Sequence, residues 1–124
     1  MENEKYIARK ESVLRSKSFA FALRIIKLNK YLAEEKREFI LSKQLLRSGT
    51  SIGANVRESE HAQSKVDFIH KLSIALKEAN ETEYWLDLLF ETKYISETEF
   101  QIIKPKSTEI LRILISIINT SKGK

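Results

Sequence analysis

A helical pattern of apolar residues that continues through two glycines constrains this fold more than any other feature of the chain. Glycine costs about 1 kcal/mol relative to alanine inside a helix, so Gly49 and Gly53 should break one. Because they are four residues apart, both would lie on one side of a helix and leave a smooth strip for a close neighbour. We therefore predict one continuous helix here, in which the glycines serve helix packing. Its apolar positions share one face: Leu41, Leu45, Ile52 and Val56.

Apolar residues at helical spacing predict three further helices. In the first helix, Phe19, Leu23 and Ile26 widen an apolar face that is marked by Phe21, Ile25, Leu28 and Leu32. A chain of 124 residues with one proline and three glycines suits a single domain with few tight turns. We expect an all-α fold, an antiparallel up-and-down four-helix bundle formed by residues 1–124. The predicted helices cover about residues 12–33, 39–60, 64–92 and 96–121.

Serine residues mark the expected starts of the third and fourth helices. Ser64 is followed by Asp67, and Ser96 is followed by Glu99, at the spacing of a capping box. The fourth helix also contains Pro105, which removes a backbone hydrogen bond. We therefore expect a kink or a restart of the helix near Lys106.

The C-terminal half of the fourth helix is apolar around almost its whole circumference, from Ile110 to Ile118. A bundle core needs only one apolar stripe per helix, so a second apolar face predicts contact with another subunit. Aromatic residues at helical spacing on the third helix are further candidates for core or subunit contacts. The predicted oligomer interface comprises Ile113, Ile115, Ile117 and Trp85.

Charge is arranged in blocks along the chain. Residues 1–57 contain 13 basic and 6 acidic residues, residues 58–103 contain 4 and 10, and residues 104–124 contain 5 and 1. Opposite charges should therefore meet within or between subunits, and positive surface should remain near both ends of the chain. The chain has no cysteine, no signal-peptide pattern and no apolar run long enough to span a bilayer. We expect a cytoplasmic protein that binds no membrane.

Two groups of cations are candidate binding surfaces, one on each of the first two predicted helices. Cations one to two helical turns apart can follow a phosphate backbone, so RNA or DNA is the expected ligand, bound in a salt-dependent way. Exposed aromatic residues interleaved with the cations are not evident. An alternative has no nucleic-acid ligand: the cations are solvated or paired with Glu58, Glu78 and Glu81. The candidate cations are Lys43, Arg47 and Arg57 on the second helix and Arg24, Lys27 and Lys30 on the first.

Catalytic and metal-binding patterns are incomplete. Glu58 with His61 and Asp67 with His70 match half of the ligand set of dimetal helical bundles. At their level the other two helices supply only Glu11, so the required pair of carboxylates is incomplete. The serines lack a positioned histidine and acid, and the glycines lack the ending of a phosphate-binding loop. We expect no enzyme activity, no metal, no cofactor and no small-molecule substrate.

Long segments of the chain resemble a known bacterial family, the four-helix bundle proteins encoded in intervening sequences of 23S ribosomal RNA genes. The segments are SFAFALRI, LLRSGTSIGANVRE and FIHKLSIALKEANETEYWL. The resemblance implies a homopentameric, ring-like barrel with a central channel. It also implies kinship with the accessory variability protein of diversity-generating retroelements, a basic barrel that binds a reverse transcriptase and nucleic acid. The chain departs from the usual family pattern at Pro105.

Overall fold

The computed structural model describes residues 2–123, and within this range the chain forms four α-helices and no strands. Each helix packs closely against two others in the cyclic order α1, α2, α3, α4, and no Cα atoms of diagonally placed helices lie within 8 Å of each other in this range. This arrangement is a single-domain four-helix bundle. The terminal residues of the predicted domain, Met1 and Lys124, lie outside the described range. The helices are α1 (Glu2–Glu34), α2 (Leu41–Ser59), α3 (Lys65–Glu91) and α4 (Glu97–Ser121).

Contacts between α1 and α4 run in opposite sequence order along the two helices. The hydroxyl of Tyr6 contacts that of Ser116 near the start of α1. Further along, Lys17 Nζ lies 3.2 Å from Glu109 Oε1, and Arg24 then meets Glu99. The first and last helices of the chain therefore form one continuous seam. None of the helices in residues 2–123 has the combination of length and apolarity needed to cross a bilayer.

The prediction that α2 continues through both glycines is confirmed. Gly49 is buried, and its position lies against the side chain of Ile25 on α1. Gly53 faces the backbone and hydroxyl of Ser18, about two turns from Ile25 along α1. A packed neighbour thus compensates the low helix propensity of the glycines, as their spacing predicts.

Side chains cap the first turns of α2, α3 and α4. The hydroxyls of Ser64 and Ser96 accept backbone hydrogen bonds from Asp67 at 3.0 Å and from Glu99 at 3.1 Å, which confirms both predicted caps. At the start of α2 the buried carboxylate of Glu38 has this role, with three backbone N–H donors. The predicted start of the first helix at residue 12 was wrong: α1 begins at Glu2.

The fourth helix is uninterrupted through Pro105, so the expected restart near Lys106 does not occur. Ile113 and Ile117 are buried in the core of the protomer itself, which corrects their prediction as subunit contacts. The reason is that α4 packs between α1 and α3 and therefore buries a wide arc of its surface. Of the predicted interface residues on α4, Ile115 is the exposed one, at 39 %.

Three exposed apolar residues lie in a line on α1. Phe19, Leu23 and Ile26 are 51 %, 48 % and 39 % exposed, so they do not widen the core-facing side of the helix as predicted. Their spacing of four and three residues places them along one outward line, which we call the α1 apolar stripe. The core-facing side of α1 is formed by Leu14, Ser18, Phe21, Ile25, Leu28 and Leu32.

Candidate nucleic-acid interface

Arg47, at the centre of the predicted cation group on α2, is paired with two carboxylates of α3. Its Nη1 donates to Glu78 Oε2 at 3.1 Å, and its Nη2 donates to Glu81. The same Glu81 accepts a hydrogen bond from Nε1 of the half-buried Trp85 at 3.1 Å. For Arg47 the structure therefore supports the alternative of cross-helix pairing, and this residue joins α2 to α3.

The other two cations of that group are in different surroundings. Lys43 is exposed and has no carboxylate within ion-pair distance in the described part of the chain. The guanidinium of Arg57 lies over the ring of Phe19, 5.5 Å from its centroid. The expectation that no exposed aromatic residue accompanies the cations was wrong, because Phe19 belongs to the exposed α1 apolar stripe. The group on α2 thus does not form one row of three free cations.

The group on α1 is also divided. Arg24 binds Glu99 of α4 through two hydrogen bonds, Nε to Oε2 at 3.1 Å and Nη2 to Oε1 at 3.0 Å. Lys27 and Lys30 are exposed and have no carboxylate partner among residues 2–123. Both lysines therefore keep an uncompensated positive charge that is open to solvent.

Two adjoining cavities, of about 420 and 380 Å³, follow the seam between α1 and α4. Both are lined by Arg24 and Lys27, and we call them together the α1–α4 trough. Lys17 and Lys106 line its other half, where Glu109 pairs with Lys17. Four cations thus face two carboxylates, and Lys106 has no ion-pair partner within residues 2–123. Lys106 was not among the cations predicted from sequence, because only the pairing of α4 with α1 brings it there.

Part of the acidic block of the sequence is paired within the protomer. Lys104 of α4 pairs with Asp87 of α3, and Arg47 of α2 pairs with the carboxylates described above. Thr108 donates a further hydrogen bond to Glu83 at 2.6 Å. Four of the α3 carboxylates therefore have partners on α2 or α4, those of Glu78, Glu81, Glu83 and Asp87, and a positive excess remains on α1.

At the opposite end of the bundle, burial raises the pKa of Glu11, and the nearby charge of Glu60 raises it further. These carboxylates lie at the level where the metal-site alternative would require ligands. His61 and His70 are both exposed, and no three histidine, aspartate or glutamate side chains of the described residues are grouped so that they could hold a metal ion. The metal-site alternative therefore has no ligand cluster in this part of the chain.

Comparisons with known proteins give a family match and similar solved structures. The model of the 23S rRNA-intervening sequence protein family matches residues 10–116. One of these structures is a protein of unknown function from the S23 ribosomal protein family of Bacteroides thetaiotaomicron. It is 60% identical, has a TM-score of 0.87, and is matched over 89% of this chain and 98% of its own. A search of curated proteins gave no match. The chain therefore belongs to the 23S rRNA-intervening sequence protein family.

Proposed function

We propose that this protein is a non-enzymatic, homo-oligomeric scaffold of the cytoplasm that binds nucleic acid, or an enzyme acting on nucleic acid, through basic helix surfaces. The observation that carries the proposal is a set of exposed lysines that lack carboxylate partners in the described residues: Lys27 and Lys30 on α1, Lys43 on α2 and Lys106 on α4. Such cations bind the phosphate backbone without reading sequence. The kinship with the retroelement accessory protein that the family resemblance implies would make a reverse transcriptase one such enzyme.

A salt titration tests the nucleic-acid part of this proposal. Labelled RNA and duplex DNA should bind at low salt, and the logarithm of the affinity should fall linearly with that of salt concentration. Replacing Lys27, Lys30 and Lys43 by alanine should weaken binding and reduce the slope by about 2 to 3. The matched control replaces three lysines of the acidic α3 by alanine: Lys65, Lys71 and Lys77. No binding at low salt, or equal losses in both variants, would contradict the proposal.

The oligomer that we propose is a ring of antiparallel up-and-down bundles. The opposite sequence order of contacts along the α1 and α4 seam supports the antiparallel arrangement. Its subunit contact is formed by the α1 apolar stripe, because exposed apolar residues in a line mark protein interfaces more often than solvated surface. The family resemblance supports five subunits.

Light scattering tests the assembly. The unmodified protein should scatter as an oligomer at micromolar concentration, and Leu23→Glu should shift it toward the monomer because a charge would enter the contact. Ile102→Glu is the control, since Ile102 is similarly exposed, at 41 %, but lies on α4. A stable monomer of the unmodified protein would disprove the assembly.

The α1 apolar stripe also favours a second candidate, a protein-interaction module without a nucleic-acid ligand. Leu23 and Ile26 offer apolar surface to a protein partner but no donor to a phosphate. The two candidates differ in one result, because the interaction module should not bind RNA or DNA at any salt concentration. The titration described above therefore separates them.

A further inference from the structure

We infer that the α1–α4 trough is the phosphate-binding track of this protein, and that Glu99 holds the place of a phosphate group on Arg24 until nucleic acid displaces it. The inference rests on the proposed nucleic-acid function. Of the two cation groups that the sequence predicts, it keeps Arg24 and Lys27 of α1, adds Lys17 and Lys106, and leaves out the group on α2.

The charges of the trough fit this role better than those of α2. Arg47 on α2 is held between two carboxylates, whereas the cations of the trough outnumber its carboxylates by two. Lys27 and Lys106 supply the excess from opposite walls. A strand lying between α1 and α4 would therefore meet positive charge on both sides.

The length of the trough suits several nucleotides. Lys17 and Lys27 are ten residues apart on α1, a rise of about 15 Å at 1.5 Å per residue. One strand of a duplex advances about 3.4 Å per phosphate, so this distance corresponds to roughly four nucleotide steps. The track is thus longer than a site for one phosphate ion and favours a polymer over a free phosphate.

The ion pair of Arg24 with Glu99 has the geometry that a phosphate would adopt. A guanidinium binds carboxylate and phosphate in the same two-bonded way, so a phosphodiester can take the place of the carboxylate. Both side chains are partly exposed, and such surface pairs are weak. Displaced from Arg24, the carboxylate of Glu99 would become solvated. Binding therefore exchanges one partner of Arg24 for another and leaves no buried charge unpaired.

Two double variants with opposite expected effects test the inference on single-stranded RNA. Lys27→Ala with Lys106→Ala should reduce the salt slope by about 1.4 and weaken binding by roughly tenfold at low salt. Glu99→Gln with Glu109→Gln should strengthen binding and steepen the slope, because Arg24 and Lys17 lose their competing carboxylates. Thermal unfolding of each variant establishes that it is folded before binding is compared.

The control for charge alone is Glu78→Gln with Glu81→Gln, which makes the same change in net charge and releases Arg47 outside the trough. It should strengthen binding less than Glu99→Gln with Glu109→Gln. Equal gains from both pairs would overturn the trough while leaving the proposed function intact, whereas no RNA binding by the unmodified protein would overturn both. Inorganic phosphate alone should compete weakly, and competition equal to that of RNA at matched phosphate concentration would refute a polymer track.

Discussion

Gly49 of α2 lies so close to Ile25 of α1 that a Cβ built on the glycine would come within 2.9 Å of Ile25 Cγ1. Cβ atoms in real structures do not approach other atoms this closely. At Gly53 the nearest atoms, both of Ser18, would be 3.5 Å from a Cβ, which is an ordinary contact. The two glycines therefore differ in function, and close approach of the helices requires only the first of them.

Alanine substitutions at the two glycines should have opposite effects on stability. Gly49→Ala should lower the free energy of unfolding, because overpacking costs about 1–3 kcal/mol and outweighs about 1 kcal/mol of improved helix propensity. Gly53→Ala, its control, should raise it by up to about 1 kcal/mol. Urea denaturation measures both. A Gly49→Ala protein as stable as the Gly53→Ala protein would show that Ile25 moves aside without cost.

Removing the carboxylate of Glu38 should destabilise the start of α2. It accepts backbone hydrogen bonds from Ile40, Leu41 and Ser42, the last at 2.7 Å. Loss of a helix cap typically lowers the free energy of unfolding by about 0.5–2 kcal/mol. We expect the loss for Glu38→Ala to lie in the upper half of that range, because the Glu38 carboxylate is buried. Glu35→Ala, at an exposed position of the same connection, serves as the control and should unfold at the same urea concentration as the unmodified protein.

Lys93→Gly should stabilise the protein by about 1 kcal/mol. Lys93 follows the end of α3 with φ of 67°, a left-handed conformation that a side chain disfavours by about 1–2 kcal/mol. The corresponding position after α4 is occupied by Gly123, with φ of 78°. Thermal unfolding should therefore shift upward for Lys93→Gly. If Lys93→Ala, which keeps a Cβ, gave the same shift, the gain would come from the removed charge and not from the backbone.

The raised pKa of Glu11 predicts a pH-dependent effect on stability. Because the folded pKa lies above the unfolded one, the folded state binds its proton more strongly, and this stabilisation is lost as pH rises through the folded pKa. Glu11→Gln should therefore be more stable than the unmodified protein at pH 7. This difference in stability should vanish at about pH 3, where Glu11 is protonated in both the folded and the unfolded state. Thermal unfolding at both pH values measures this. When Glu60→Gln is also present, Glu11→Gln should stabilise the protein less at pH 7, because the charge of Glu60 no longer raises the pKa of Glu11.

The parts of the fold that depend on local sequence could be predicted. Helix spacing and the caps at Ser64 and Ser96 are short-range signals, and the packing of Gly49 needs only some neighbouring helix. The start of α1 at Glu2 could not be predicted, because its first turns have few apolar residues. In these turns Ile7 packs against the core and Tyr6 contacts Ser116 of α4. Both contacts are with residues distant in sequence, so local sequence does not reveal them.

The candidate site was harder to predict than the fold, because it depends on how each helix is rotated relative to its neighbours. Sequence placed Arg47 among free cations or opposite Glu78 and Glu81, and could not choose between them without the orientation of α3. For the same reason Phe19 could be assigned to the core when it lies on the surface, and Ile117 to the surface when it lies in the core. One residue step rotates a helical side chain by about 100°, so a small error in the assigned face exchanges buried and exposed positions.

The seam between the first and last helices has a consequence for synthesis on the ribosome. Tyr6 and Ser116 are 110 residues apart in sequence, and the side of α1 that contacts α4 cannot be covered until α4 has been made. A nascent chain stalled before Glu97 would have three helices and an open apolar flank. Such intermediates attract chaperones and aggregate readily. Synthesis of α4 is therefore the step that closes this core, and truncation within α4 should expose the apolar residues of α1 and α3 that it covers.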